Sequence, residues 1–183
     1  MNAPAAPLSP YSSAIGKSNI ETHTLSALVD NEPGVLARVV GLFSGRGYNI
    51  ESLTVAEVAH AERFSRITIV TSGTPEAIEQ IGHQLERLVP VRKVTDLTLR
   101  GSSVERELAM IKVAGHDNNR IEALRLAEAF RARVIDASME SFIFEITGNV
   151  SKIDQFIELM RPIGLVEVSR TGVAAMSRGK DPI

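Results

Sequence analysis

Apolar and polar side chains change their spacing along this chain, and each change marks an element. Leu25, Ala27 and Val29 alternate with Thr24, Ser26 and Leu28, which predicts a half-buried strand over 23–30. Asn31-Glu32-Pro33-Gly34 predicts a turn, because proline fixes φ and glycine accepts conformations other residues resist. Val35, Leu36, Val39, Val40 and Phe43 then share one helix face, and Gly45 and Gly47 close that helix. Tyr48-Asn49-Ile50 opens the next strand, 49–59, followed by a strand over 64–72 with Ile67, Ile69 and Thr71 on one face. Ile78, Ile81, Leu85 and Leu88 predict a helix over 75–89, with Pro75 at its first position and Pro90 unable to continue it. A strand over 91–99 ends the first half.

Gly101-Ser102-Ser103 breaks the pattern and reads as a linker. The order then repeats as strand 107–114, helix 118–131, strand 133–140, strand 142–148, helix 151–162 and strand 165–171. Phe142, Phe144 and Ile146 alternate, and Ile153, Phe156, Ile157 and Met160 form a helical stripe that Ser151 is placed to cap. Asp117-Asn118-Asn119 reads as a turn and helix start. The expected class is α+β: two ferredoxin-like βαββαβ domains, each an antiparallel sheet with two helices on one face. The expected division is a disordered tail over 1–21, a first domain over 22–100, a linker over 101–105, a second domain over 106–177 and a tail over 178–183. The exposed sheet edges of such domains invite pairing.

The 183 residues are 44% hydrophobic, enough for packed cores, and Lys+Arg 20 against Asp+Glu 22 argues against a nucleic-acid or membrane surface as the main partner. No cysteine is present, which removes disulfides, thiolate nucleophiles and thiolate metal sites and suits a reducing cytoplasm. No run approaches the roughly 18–20 apolar residues of a membrane span. The first twenty residues lack the basic start and apolar run of a secretory signal. His23, His60, His83 and His116 are scattered without metal-ligand spacing and read as surface or edge residues; Glu76, Glu79 and Glu86 read as solvated helix faces. No catalytic residue and no metal ligand is expected. The glycines from Gly41 to Gly47 end a helix, which fits neither a dinucleotide nor a P-loop context. An RNA-recognition motif shares the element order but needs aromatics on its central strands, and aromatics are 4% of the chain. An acylphosphatase-like hydrolase needs an arginine-bearing loop where Glu32 stands.

The turn at 31–34 carries the polar chemistry. A helix N-terminus leaves backbone N–H groups unpaired and adds positive potential, so a carboxylate fits against the amides near Gly34, Val35 and Leu36. Asn31 offers both a donor and an acceptor. On turn chemistry alone, a turn and a helix cap are the better explanation of Asn31 and Gly34.

The run from Asn31 to Val55, and within it Gly47-Tyr48-Asn49-Ile50-Glu51-Ser52-Leu53-Thr54, closely resembles the ACT-domain signature of the small regulatory subunits of acetohydroxyacid synthase (acetolactate synthase). The likeness continues through Ser65 to Ile69, Gln80 to Leu88, Val104 to Leu108 and Val166 to Gly172, and covers roughly residues 22–178. The resemblance implies an N-terminal ACT domain, a C-terminal regulatory-subunit domain and a non-catalytic, cytoplasmic chain. It implies a homodimer through the ACT domains. Valine or another branched-chain amino acid would bind between Asn31, Gly34, Val35 and Leu36 of one protomer and Asn49 and Ile50 of the other. The implied partner is the large catalytic subunit, which carries thiamine diphosphate, FAD and Mg²⁺; this chain carries no cofactor and confers activation and feedback inhibition. A different ACT-containing sensor, regulating another enzyme or transcription, is the other reading. The Gly47–Thr54 run and the second half weigh against it.

Overall fold

A computed structural model of the chain describes residues 19–59, 63–99, 101 and 103–180. The first half runs β1 (Glu21–Asp30), α1 (Val35–Arg46), β2 (Ser52–Ala59), β3 (Phe64–Gly73), α2 (Pro75–Glu86) and β4 (Val91–Asp96). β1 pairs antiparallel with β3 along its whole length, from Glu21 opposite Gly73 to Asp30 opposite Phe64. The sheet order is β2-β3-β1-β4. Alternation sends Leu25, Ala27, Val29, Ile67 and Ile69 to one face, where Val39 and Phe43 of α1 and Ile78, Ile81 and Leu85 of α2 bury them. Thr74 caps α2 by accepting the Ala77 N–H, with Pro75 at the start of the helix.

The second half repeats this plan with β5 (Ser103–Ala114), α3 (Asp117–Phe130), β6 (Arg133–Ala137), β7 (Ser141–Gly148), α4 (Val150–Gly164) and β8 (Leu165–Arg170), in the sheet order β6-β7-β5-β8. Ala109, Ile111, Val113, Phe142, Phe144 and Ile146 pack against Ile153, Phe156 and Met160. The Phe144 and Phe156 rings meet edge to face at 6.1 Å. Two ferredoxin-like units are therefore present, as the periodicity predicts.

The structure corrects several expectations. β2 starts at Ser52 rather than Asn49. β4 stops at Asp96 rather than 99, because the Asp96 carboxylate accepts the Thr98 and Leu99 N–H groups and folds them into a turn. β6 stops at Ala137, and Ser138 turns the chain by accepting the Glu140 and Ser141 N–H groups. Asn149, not Ser151, caps α4 by accepting the Lys152 N–H at 2.9 Å. β5 begins at Ser103, inside the stretch read as a linker, because Ser103–Arg106 pairs with an additional strand, β9 (Ala174–Ser177). His23 is buried rather than at the surface: its Nδ1 lies 2.6 Å from Asp96 and its Nε2 3.4 Å from Glu21. His60 and residues 1–18 of the tail lie outside the described residues.

A third, smaller core joins the two halves. Val70 and Leu97 from the first half meet Val173 and Ala175 from the second. Val173 donates its N–H to Ser52 Oγ at 2.9 Å, and its carbonyl accepts from Thr54 Oγ1 at 3.0 Å. Among the described residues, no helix is long and apolar enough to cross a membrane.

Candidate functional site

The end of β1 fixes the turn that follows it. Asp30 donates its N–H to the Pro90 carbonyl at 2.8 Å, and its carboxylate takes two hydrogen bonds from Arg92, both 2.8 Å. That pairing raises the Arg92 guanidinium above its ordinary value. Asn31 donates its N–H to the Arg63 carbonyl at 2.7 Å, tying the turn to the start of β3. Gly34 then adopts φ 87°, although a Cβ there would touch nothing within 4 Å. The backbone angle, not the available space, demands glycine.

Gly34 is the N-cap of α1, and no side chain caps this end. The first turn holds no acidic residue, and the Val35 N–H reaches the Glu32 carbonyl only at a long 3.4 Å. The positive end of the helix is thus left without an anionic neighbour in its first turn. Asn31, Gly34 and Leu36 are exposed beside it. The Val35 side chain is buried in the first core, so Val35 can offer a ligand its backbone but not its side chain.

Asn49 and Ile50 lie beyond the other end of the helix. Asn49 is exposed, and its carbonyl accepts from the buried Thr71 Oγ1 at 2.6 Å. Ile50 is half-buried against the first core. The twelve residues of α1 span about 18 Å. The strand register agrees: Asn31 follows Asp30, which faces Phe64, whereas Asn49 and Ile50 lead into Ser52, which faces Val70. One chain therefore brings Asn31, Gly34, Val35 and Leu36 together, and Asn49 with Ile50, but holds the two groups apart. β2, which follows Asn49 and Ile50, is an edge strand and exposes Val55 and Val58.

Two charged clusters escaped the linear pattern because their members are distant in sequence. His23, Asp96 and Glu21 form one. In the other, Arg170 donates to both carboxylate oxygens of buried Glu107, at 2.9 and 2.6 Å, and to Asp154 at 2.7 Å. Arg170 is held above its ordinary value chiefly by the hydrogen bond to Glu107. It lines a cleft of about 440 Å³ between the halves, with Ser52, Leu53, Val70, Glu107 and Val173. Among the described residues, no three His, Asp or Glu side chains are arranged to hold a metal ion.

Residues 25–93 match the family described as the AHAS small subunit-like ACT domain, and residues 106–179 match the family of the small subunit of acetolactate synthase. The chain is 49% identical over 157 residues to a probable acetolactate synthase small subunit of Archaeoglobus fulgidus, an alignment covering 86% of this chain and 97% of that one. It is 44% identical to the acetolactate synthase small subunit of Aquifex aeolicus, covering 93% and 88%. The crystal structure of the small subunit from Thermotoga maritima superposes with a TM-score of 0.78 at 43% identity, covering 88% of this chain and 99% of that one.

Proposed function

This chain belongs to the acetolactate synthase small-subunit family, and we propose on that footing that it holds a large catalytic subunit, raises its activity and confers feedback inhibition by valine. In this reading the partner carries thiamine diphosphate, FAD and Mg²⁺ and performs the chemistry. The small subunit contributes no reacting group and works in the cytoplasm as a homodimer through its first domain.

The observation that carries the effector reading is the division of the candidate site by α1. A bare, positive helix end with Asn31 beside it suits a carboxylate. Asn49 supplies a second amide and half-buried Ile50 an apolar wall for a branched side chain. Neither half suffices for a whole amino acid, and two copies set edge to edge at β2 complete it. The valine carboxylate then takes the N–H groups of Gly34, Val35 and Leu36, and Asn31 and Asn49 read its polar groups.

Valine shifts the holoenzyme only through its different affinity for two arrangements of the dimer. A coupling of about 1–3 kcal/mol gives a 5–150-fold effect. Calorimetry with valine, leucine and glycine, alongside activity of the reconstituted holoenzyme, tests this reading. Asn31→Ala is expected to abolish valine binding and inhibition while leaving activation largely intact. Loss of activation together with inhibition would overturn the site assignment.

A further inference from the structure

The segment joining the candidate effector residues to β2 has little freedom. Thr71 holds the Asn49 carbonyl, the Glu51 N–H donates to the Val70 carbonyl at 2.8 Å, and the Glu51 carboxylate meets the Ser72 hydroxyl. Ser52, Leu53 and Thr54 then run in register opposite Val70, Ile69 and Thr68. The stretch from Asn49 through β2 is therefore held as one continuous run against β3.

The second domain grips that same strand. Ser52 and Thr54, from the face of β2 opposite the helices, hold both backbone groups of Val173. Val173 is only 3% exposed and is wedged beside Val70 and Leu97. At Gly172 the fit is closest: φ is 82°, and a Cβ would lie 2.7 Å from Ser52 Oγ and 3.1 Å from Thr54 Cγ2. Serine and threonine hydroxyls sit one bond from Cβ, so they have little reach with which to follow a moving strand, and hydrogen bonds weaken steeply with distance and angle. Downstream, β9 leads directly from Val173 back to β5. The open cleft lined by Glu107 and Arg170 leaves room beside the contact.

We propose that the Thr171–Val173 loop, clasped by Ser52 and Thr54, is the joint through which the first domain's effector site repositions the second domain. The inference rests on the proposed effector roles of Asn49 and Ile50. An amino acid seated on them favours one position of β2, and Val173 with β9 follows it. The second domain thereby reads occupancy without touching the ligand.

The test uses full-length chain reconstituted with its catalytic subunit. Ser52→Ala removes one arm of the clasp, and Gly172→Ala forces it apart; circular dichroism and thermal melts confirm folding. In both variants valine should bind with an affinity within about threefold of wild type, and activation should persist. The valine concentration for half-inhibition should rise at least tenfold. Hydrogen exchange at the Val173 amide and in β9 should respond to valine in the wild type and not in Gly172→Ala. Wild-type inhibition in both variants, or an exchange response that survives in Gly172→Ala, overturns the joint while sparing the effector site. Should Gly172→Ala fail to fold, Ser52→Ala alone decides by the same readouts. Absence of valine binding by the wild-type chain overturns the effector reading and the joint with it.

Discussion

Arg170 illustrates how much can hang on one side chain in this molecule. It bridges Glu107 on β5, 4% exposed, to Asp154 on α4, and is itself one-third exposed. Removing the guanidinium strands a buried carboxylate, which costs more than the intact pair contributes. Arg170→Met is expected to destabilise the chain by about 3 kcal/mol in denaturant unfolding. Adding Glu107→Leu should recover part of that loss, since no unpaired charge is then left inside. Additive losses in the double variant would show that the pair is not coupled. Alternation does put Glu107 in phase with inward Ala109, Ile111 and Val113, but nothing in the linear pattern pairs it with Arg170, 63 residues away. His23 misled for a similar reason. It stands at the start of the strand in phase with buried Leu25, Ala27 and Val29, and the Asp96 carboxylate beside it satisfies the ring and permits burial.

Elements were legible where periodicity was long and illegible where pairing was nonlocal. The stripe Ile153, Phe156, Ile157 and Met160 fixed α4, and all four are buried. Phe156 touches Phe130 at 5.3 Å and Phe144 at 6.1 Å between ring centres. Phe156→Ala should therefore cost about 3–5 kcal/mol and lower the melting temperature clearly. A loss below 1 kcal/mol, by the same principle, would mean the second core is looser than its geometry. β9 offered no such signal. Its four residues, Ala-Ala-Met-Ser, hold no run of strand formers. Its partner lies across Ser103–Arg106, roughly seventy residues earlier. The cap of α4 was ambiguous for a local reason, since Asn149 and Ser151 are both capping residues and only the backbone at 149, extended at ψ 163°, decides between them.

At the scale of the molecule, two similar units share a third core, and the candidate site is cut in half. The sequence supplied the residue types of that site, because the turn and helix start are local chemistry. It did not show that Leu36, placed with Val35 on the apolar helix face, stays exposed, nor that Ser52 and Thr54 reach across to the other domain. The separation of about 18 Å along α1 has a thermodynamic corollary for the proposed function. A sensor whose two halves reside on different molecules obeys mass action twice, once for the amino acid and once for its own second copy. By reciprocity, whatever affinity valine gains from pairing, pairing gains from valine. Diluted toward its dissociation constant, the chain should lose its valine response before its fold. Added valine should shift sedimentation toward the paired species, and a response independent of protein concentration down to fully separated chains would count against the divided site. On the proposed function, the small subunit would gauge its own abundance as well as its ligand.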